Sequence, residues 1–91
     1  GGLARPNMLA ENCLPLVKPG GVFTAMKAAT AAEELAEAKG AIAKLGGEYS
    51  ETRRCQLPQG DERNLLVVRK ISQTPPVYPR NGGKIAKSPL K

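Results

Sequence analysis

A chain of 91 residues with a formal net charge of +6, two cysteines and no histidine is one small domain. A domain of this size buries only about 60–65% of the surface its unfolded chain exposes, so its core is thin. The charge favours an anionic partner such as nucleic acid, but Phe23, Tyr49 and Tyr78 are too few for a base-stacking platform. Cys13 and Cys55 have no CxxC spacing and no histidine beside them, which argues against a zinc site. They read as reduced thiols acting as small hydrophobes, with a disulfide the less expected alternative. No apolar run approaches the roughly 18 residues of a membrane span, and no signal peptide is expected before the domain. The expected setting is the cytoplasm. Gly1-Gly2 is an abrupt start, as if the chain had been cut from something longer or kept a cloning scar.

In chain order, Arg5 to Val17 reads as a helix. Pro6 suits its first turn, and Met8, Leu9, Cys13, Leu16 and Val17 make an apolar face at three- and four-residue steps. Pro15 falls inside that pattern and predicts a kink or a break near Cys13. Lys18-Pro19-Gly20-Gly21 is a turn in which either glycine can take positive φ. Val22 to Met26 follows, almost without a polar residue. A strand apolar on both sides is expected in the middle of a parallel α/β sheet, buried on both faces. Lys27 closes it, at the kind of strand end where open α/β sheets bind ligands.

Thr30-x-x-Glu33 has the form of a capping box and opens a second helix. Acids lead that helix, lysines follow, and Leu35, Ala38, Ile42 and Leu45 form its buried stripe up to Gly46-Gly47. Tyr49 to Leu57 alternates as a strand with one wet face. Pro58-Gln59-Gly60-Asp61 is a turn, and Leu65 to Val68 is a buried strand returning antiparallel. Arg53-Arg54 and Arg69-Lys70 read as wet strand faces. Gln73 to Lys91 carries Arg80, Lys84, Lys87 and Lys91, many prolines and glycines, and no acid. It reads as a basic tail (73–91), extended or disordered alone, after a folded part (1–72). With one helix available as a crossover, the sheet looks incomplete, as though earlier strands were missing.

The stretches ARPNMLAENCLPLVKPGGVFTAMKA, EELAEAKGAIAKLGGE, RNLLVVRK and TPPVYPRNGGKIAKSPL resemble the 16S ribosomal RNA guanine-N7 methyltransferases, the glucose-inhibited division protein B family. The resemblance runs from about Leu3 to Leu90 and matches only the carboxyl-terminal half of that enzyme. It implies an α/β fold, the C-terminal half of a Rossmann-like S-adenosylmethionine-dependent methyltransferase, with a terminal antiparallel hairpin and the basic tail. It implies S-adenosylmethionine as cofactor and 16S rRNA within the small ribosomal subunit as partner. The family's glycine-rich cofactor loop and its ribose-binding acid lie in the missing half. The arginine of its ARAVA-like motif falls at Gly1 or before it. No catalytic, cofactor-binding or metal residue is therefore expected in this chain, which alone should be inactive.

Guanine N7 is a neutral nucleophile with an exposed lone pair, so methylating it requires no general base. Positioning supplies most of the rate. The side chains to look for are cations that grip RNA. Lys27 at the strand end leads, as an RNA phosphate or base contact against a solvated lysine capping the strand, followed by Arg5 near the first helix (for RNA or the missing half), Arg80 (if Tyr78-Pro79-Arg80 folds back, where a structural clasp is the competing reading), Lys84 and Lys87. Glu33, Glu34 and Glu37 read as helix-dipole residues. The rival readings are a standalone basic α/β RNA-binding module without catalysis, and a half-domain that pairs with another chain. On the half-domain reading the bare edge of Val22–Met26 recruits strands, and the fragment self-associates or pairs with the missing half.

Overall fold

The structure, a computed structural model, describes residues 5–91; the expected position of the family arginine lies outside them. Helix α1 spans Pro6–Cys13, with Pro6 in its first turn, and passes at Leu14–Leu16 into a 3₁₀ turn containing Pro15. The break expected near Cys13 is there, as the change from α-helix to 3₁₀ turn. The buried face is not the expected one: Leu16 is 85% exposed, while Asn7, Ala10, Glu11 and Leu14 face inward. Two polar side chains can lie there because other parts of the chain satisfy them.

Strand β1 is Val22–Lys27, helix α2 Ala32–Lys44, strand β2 Gly47–Gln56, strand β3 Glu62–Lys70 and helix α3 Gly82–Lys87. The three strands form one sheet in the order β1-β3-β2. Both outer strands pair antiparallel with β3, from Val22↔Arg69 to Lys27↔Asn64 on one side and from Gly47↔Lys70 to Gln56↔Glu62 on the other. β1 and β2 therefore run parallel to each other, joined by the α2 crossover, with β3 inserted between them. The hairpin turn closes with Gly60 N–H donating to Leu57 O and Leu57 N–H to Asp61 O, both at 2.8 Å.

The expectation for β1 is corrected here. It lies at the rim of the described sheet, its only partner is antiparallel, and Val22, Thr24 and Met26 are exposed. The cause is the one-sided placement of the helices. The core is Ala10 and Leu14 from α1 and its 3₁₀ turn, Ala38, Ile42 and Leu45 from α2 and its end, and Val68 from β3. The opposite sheet face, where Val22, Thr24 and Met26 meet Leu65 and Val67, has no helix over it among the described residues. The capping box does not form either. Ala31 is the N-cap of α2, without a side-chain bond, and Thr30 Oγ1 has no partner. Glu34, which the shifted start puts in the third helical position, turns to Lys27 instead.

The expected extended tail is also corrected. Ile71 and Ser72 N–H groups donate to Gly46 O at 2.9 and 3.1 Å, and Thr74 Oγ1 donates to Leu45 O. After a cis Tyr78-Pro79 bond, Asn81 caps α3 by accepting from Lys84 N–H at 2.8 Å. Ile85 is 2% exposed, and Tyr78 and Leu90 pack against the core. The composition is that of a disordered segment, but three apolar side chains anchor it.

Of the turn glycines, Gly20 takes φ +92° while Gly21 does not take positive φ. Gly46 takes φ +84°, and an added Cβ there meets Ser72 O at 2.5 Å. Gly46→Ala should cost roughly 2–4 kcal/mol in urea unfolding, the left-handed penalty plus the clash. Gly20→Ala, with open space around its Cβ, should cost only about 1–2 kcal/mol. Equal losses at the two positions would show that the Ser72 contact is unimportant.

Candidate nucleic-acid interface

The end of β1 and the start of α2 place Lys27. Its side chain is 14% exposed, and Nζ lies 3.0 Å from Glu34 Oε1, on a side chain 27% exposed. Arg5, the N-cap residue of α1, is 61% exposed, with a guanidinium nitrogen 4.0 Å from Glu37 Oε2. Arg5 lines two neighbouring clefts. One, of about 230 Å³, it shares with Glu37, Lys87, Ser88, Pro89 and Lys91. The other, of about 200 Å³, it shares with Ala31, Glu33, Glu34 and Glu37. The fold thus brings Arg5 and Lys87 to one cleft, and sets the Lys27 partner Glu34 in the adjoining one. Lys84 lies on α3 one turn before Lys87, and both are exposed.

Arg80 is differently placed. The segment does fold back, and Arg80 meets Glu11 of α1. Its Nε donates to Glu11 Oε2 at 2.9 Å, Nη2 donates to Oε1 at 2.8 Å, and its backbone N–H donates to Oε2 at 2.9 Å. Glu11 is fully buried and the Arg80 side chain is 18% exposed. The Arg80 side-chain hydrogen bonds hold the Glu11 carboxyl below its ordinary value; burial opposes this, and the Arg80 backbone bond and charge add to it. The same side-chain bonds raise Arg80. The guanidinium is occupied within the fold.

Sequence reasoning missed three buried polar residues: Asn7, Glu11 and Lys70. Asn7 Nδ2 donates to Leu90 O at 2.7 Å. Lys70, read as part of a wet face, is 1% exposed; its Nζ donates to Leu14 O at 2.6 Å and to Val17 O at 2.8 Å, and burial lowers its pKa. It gives a second donor to the Leu14 carbonyl, which already accepts from Val17 N–H, and one to the Val17 carbonyl where the 3₁₀ turn ends. The available signal was position: Glu11 falls four residues after Asn7 and three before Leu14, on the face that turns inward. Arg53 and Arg54 pair with Glu51 and Glu62 in the exposed way expected. Cys13 and Cys55 are free thiols, both half-buried.

No family model matches the chain. Over nearly all its length, however, it is homologous to the carboxyl-terminal part of proteins classed as small-subunit ribosomal RNA methyltransferases. Those relatives are named ribosomal RNA small subunit methyltransferase G. The Exiguobacterium protein is 51% identical over 89 residues, 97% of this chain and 37% of its own length. The Bacillus subtilis protein is 49% identical over 90 residues, 98% of this chain and 38% of its own length. The Staphylococcus aureus protein is 48% identical over 89 residues, 97% and 37% respectively. The chain therefore spans little more than a third of the relatives it matches, less than the half expected.

Glu11 gives the acid behaviour of the fold. Its folded pKa is lowered, so the stability it contributes is full above the ordinary value of 4.5 and is lost as pH falls through the lowered folded value. Arg80→Ala should lower Tm by several degrees at neutral pH, because it strands an enclosed carboxylate. It should also flatten the loss of stability below pH 4.5. Arg54→Ala, at an exposed pair, should leave Tm within about a degree. Similar effects of the two substitutions in thermal unfolding would contradict the assignment.

Proposed function

We propose that this chain is the carboxyl-terminal part of an enzyme that transfers a methyl group from S-adenosylmethionine to N7 of a guanine in 16S rRNA, acting on the small ribosomal subunit in the cytoplasm. The observation that carries the reading is the 48–51% identity, over 97–98% of the chain, to relatives named for methylating small-subunit ribosomal RNA. The fold agrees with a Rossmann-like methyltransferase sheet: a β-α-β crossover, with the last strand inserted antiparallel between the two parallel ones. The free edge of β1 and the bare sheet face beside it are where the amino-terminal part carried by the relatives would continue the sheet and cover it. No described helix is long and apolar enough to cross a membrane.

The described residues do not fit the methyl donor on their own. Such a donor needs a glycine-rich loop after a strand and a carboxylate for the ribose hydroxyls, and here the Gly20-Gly21 turn precedes its strand. The donor is therefore assigned to the amino-terminal part. This chain's share is the RNA. Arg5, Lys84 and Lys87 supply exposed positive charge for phosphates, and Lys27 contacts substrate at the strand end. Arg80 holds the segment that carries Lys84 and Lys87 in place.

The test compares the 91-residue chain with the same chain joined to the amino-terminal part of a relative. The short chain should neither bind S-adenosylmethionine in calorimetry nor transfer labelled methyl to small-subunit RNA, and should sediment as a self-associated species through its open strand edge. The joined protein should do both and sediment as a monomer. A joined protein that binds RNA but never methylates it would favour the RNA-binding module.

A further inference from the structure

We propose that Glu34 is a positioning residue, and that the Lys27–Glu34 pair presents a hydrogen-bond donor to a neutral acceptor on the substrate base rather than a charge to a phosphate. The proposal rests on the reading of Lys27 as an RNA contact and says what kind of contact it is.

A phosphate anchor works through unbalanced positive charge in solvent, which displaces counterions. Lys27 is neither unbalanced nor open to solvent: Glu34 lies 3.0 Å from its ammonium, and only 14% of its side chain is exposed. A phosphate brought to Lys27 would face the Glu34 carboxylate, with Glu33 and Glu37 lining the same cleft. Arg5, also on that cleft, stands by Glu37 and is 61% exposed, so an anion has a better partner there. An ammonium carries three donors, and Glu34 lies on one side of it as an ion pair, with Oε1 accepting no hydrogen bond. The pair is neutral as a unit, and what remains is directional N–H. That suits an uncharged acceptor such as a base carbonyl. If the base is a guanine modified at N7, its N7 must stay open, and the acceptor beside it is O6. Direction is set by two rigid elements: β1 carries the lysine stem, and the first turn of α2 carries the carboxylate.

The test measures binding of a 16S rRNA fragment to the joined protein, without methyl donor, across a salt series. Lys27→Met and Glu34→Gln keep the volume of the side chains, and thermal unfolding monitors the fold, with Glu34→Asp as a second variant at that position. Lys27→Met should weaken binding about tenfold while leaving the slope of log affinity against log salt unchanged. Glu34→Gln should weaken it several-fold, Glu34→Asp should restore part of the loss, and the double variant should bind no worse than Lys27→Met alone. A slope reduced by about 0.7–0.9 in Lys27→Met makes Lys27 a phosphate contact and overturns the proposal. So do additive losses in the double variant, which would give Glu34 a structural role independent of Lys27. If Lys27→Met binds RNA as wild type at every salt concentration, the underlying reading of Lys27 fails first.

Discussion

The closed pair between Glu11 and Arg80 is the constraint on which the arrangement of this chain depends. A carboxylate with no solvent exposure is tolerable only where donors surround it, and a side chain and a backbone N–H of the same distant residue supply them. Once Arg80 is held, Asn81 is placed to start α3, Ile85 reaches the core and Leu90 O meets Asn7. One face of α1 is thus completed by residues from the other end of the chain. The basic side chains on α3 take their positions from a contact that is itself internal.

Lys70 plays the matching part on the sheet. Its ammonium ties the end of the central strand to the carbonyls of Leu14 and Val17, where the first helix runs out. Gly20 N–H donates to Lys70 O, and Lys70 N–H donates to Gly21 O, at 2.7 and 2.9 Å. The turn before β1 is therefore pinned on both sides of one residue. Pairing of β1 along its full length carries that order on to Lys27.

Much of the architecture was legible from local chemistry. Pro6, Pro15 and the Gly46-Gly47 pair punctuate the helices, and Leu65 to Val68 marks the central strand. The apolar run Val22 to Met26 misled for a physical reason. Lack of polar residues shows that a strand can be buried on both faces, not that its own chain buries it. Within these residues the run has one wet face, and the family assignment is carried by similarity to the relatives rather than by burial of that strand. The tail misled in the opposite way. Its composition is that of a disordered segment, and Tyr78, Ile85 and Leu90 are too widely spaced to register as a pattern. The long-range partnerships Glu11–Arg80, Asn7–Leu90 and Lys70–Leu14 carry no local signal at all. Of the site, the cations were visible as exposed charge, whereas the pairing of Lys27 with Glu34 depends on where α2 starts, and the apparent capping box concealed that start.

Sixty-nine positions separate Glu11 from Arg80, and eighty-three separate Asn7 from Leu90. A ribosome making this polypeptide releases α1 long before either counterpart leaves the exit tunnel. Until then the inward side of α1 has an acid and an amide to keep hydrated, and cannot settle on the sheet in its final pose. Docking of the first helix therefore waits until residues 80 to 90 have been made, and a chain cut between Glu11 and Arg80 leaves that helix without the partners that seat it.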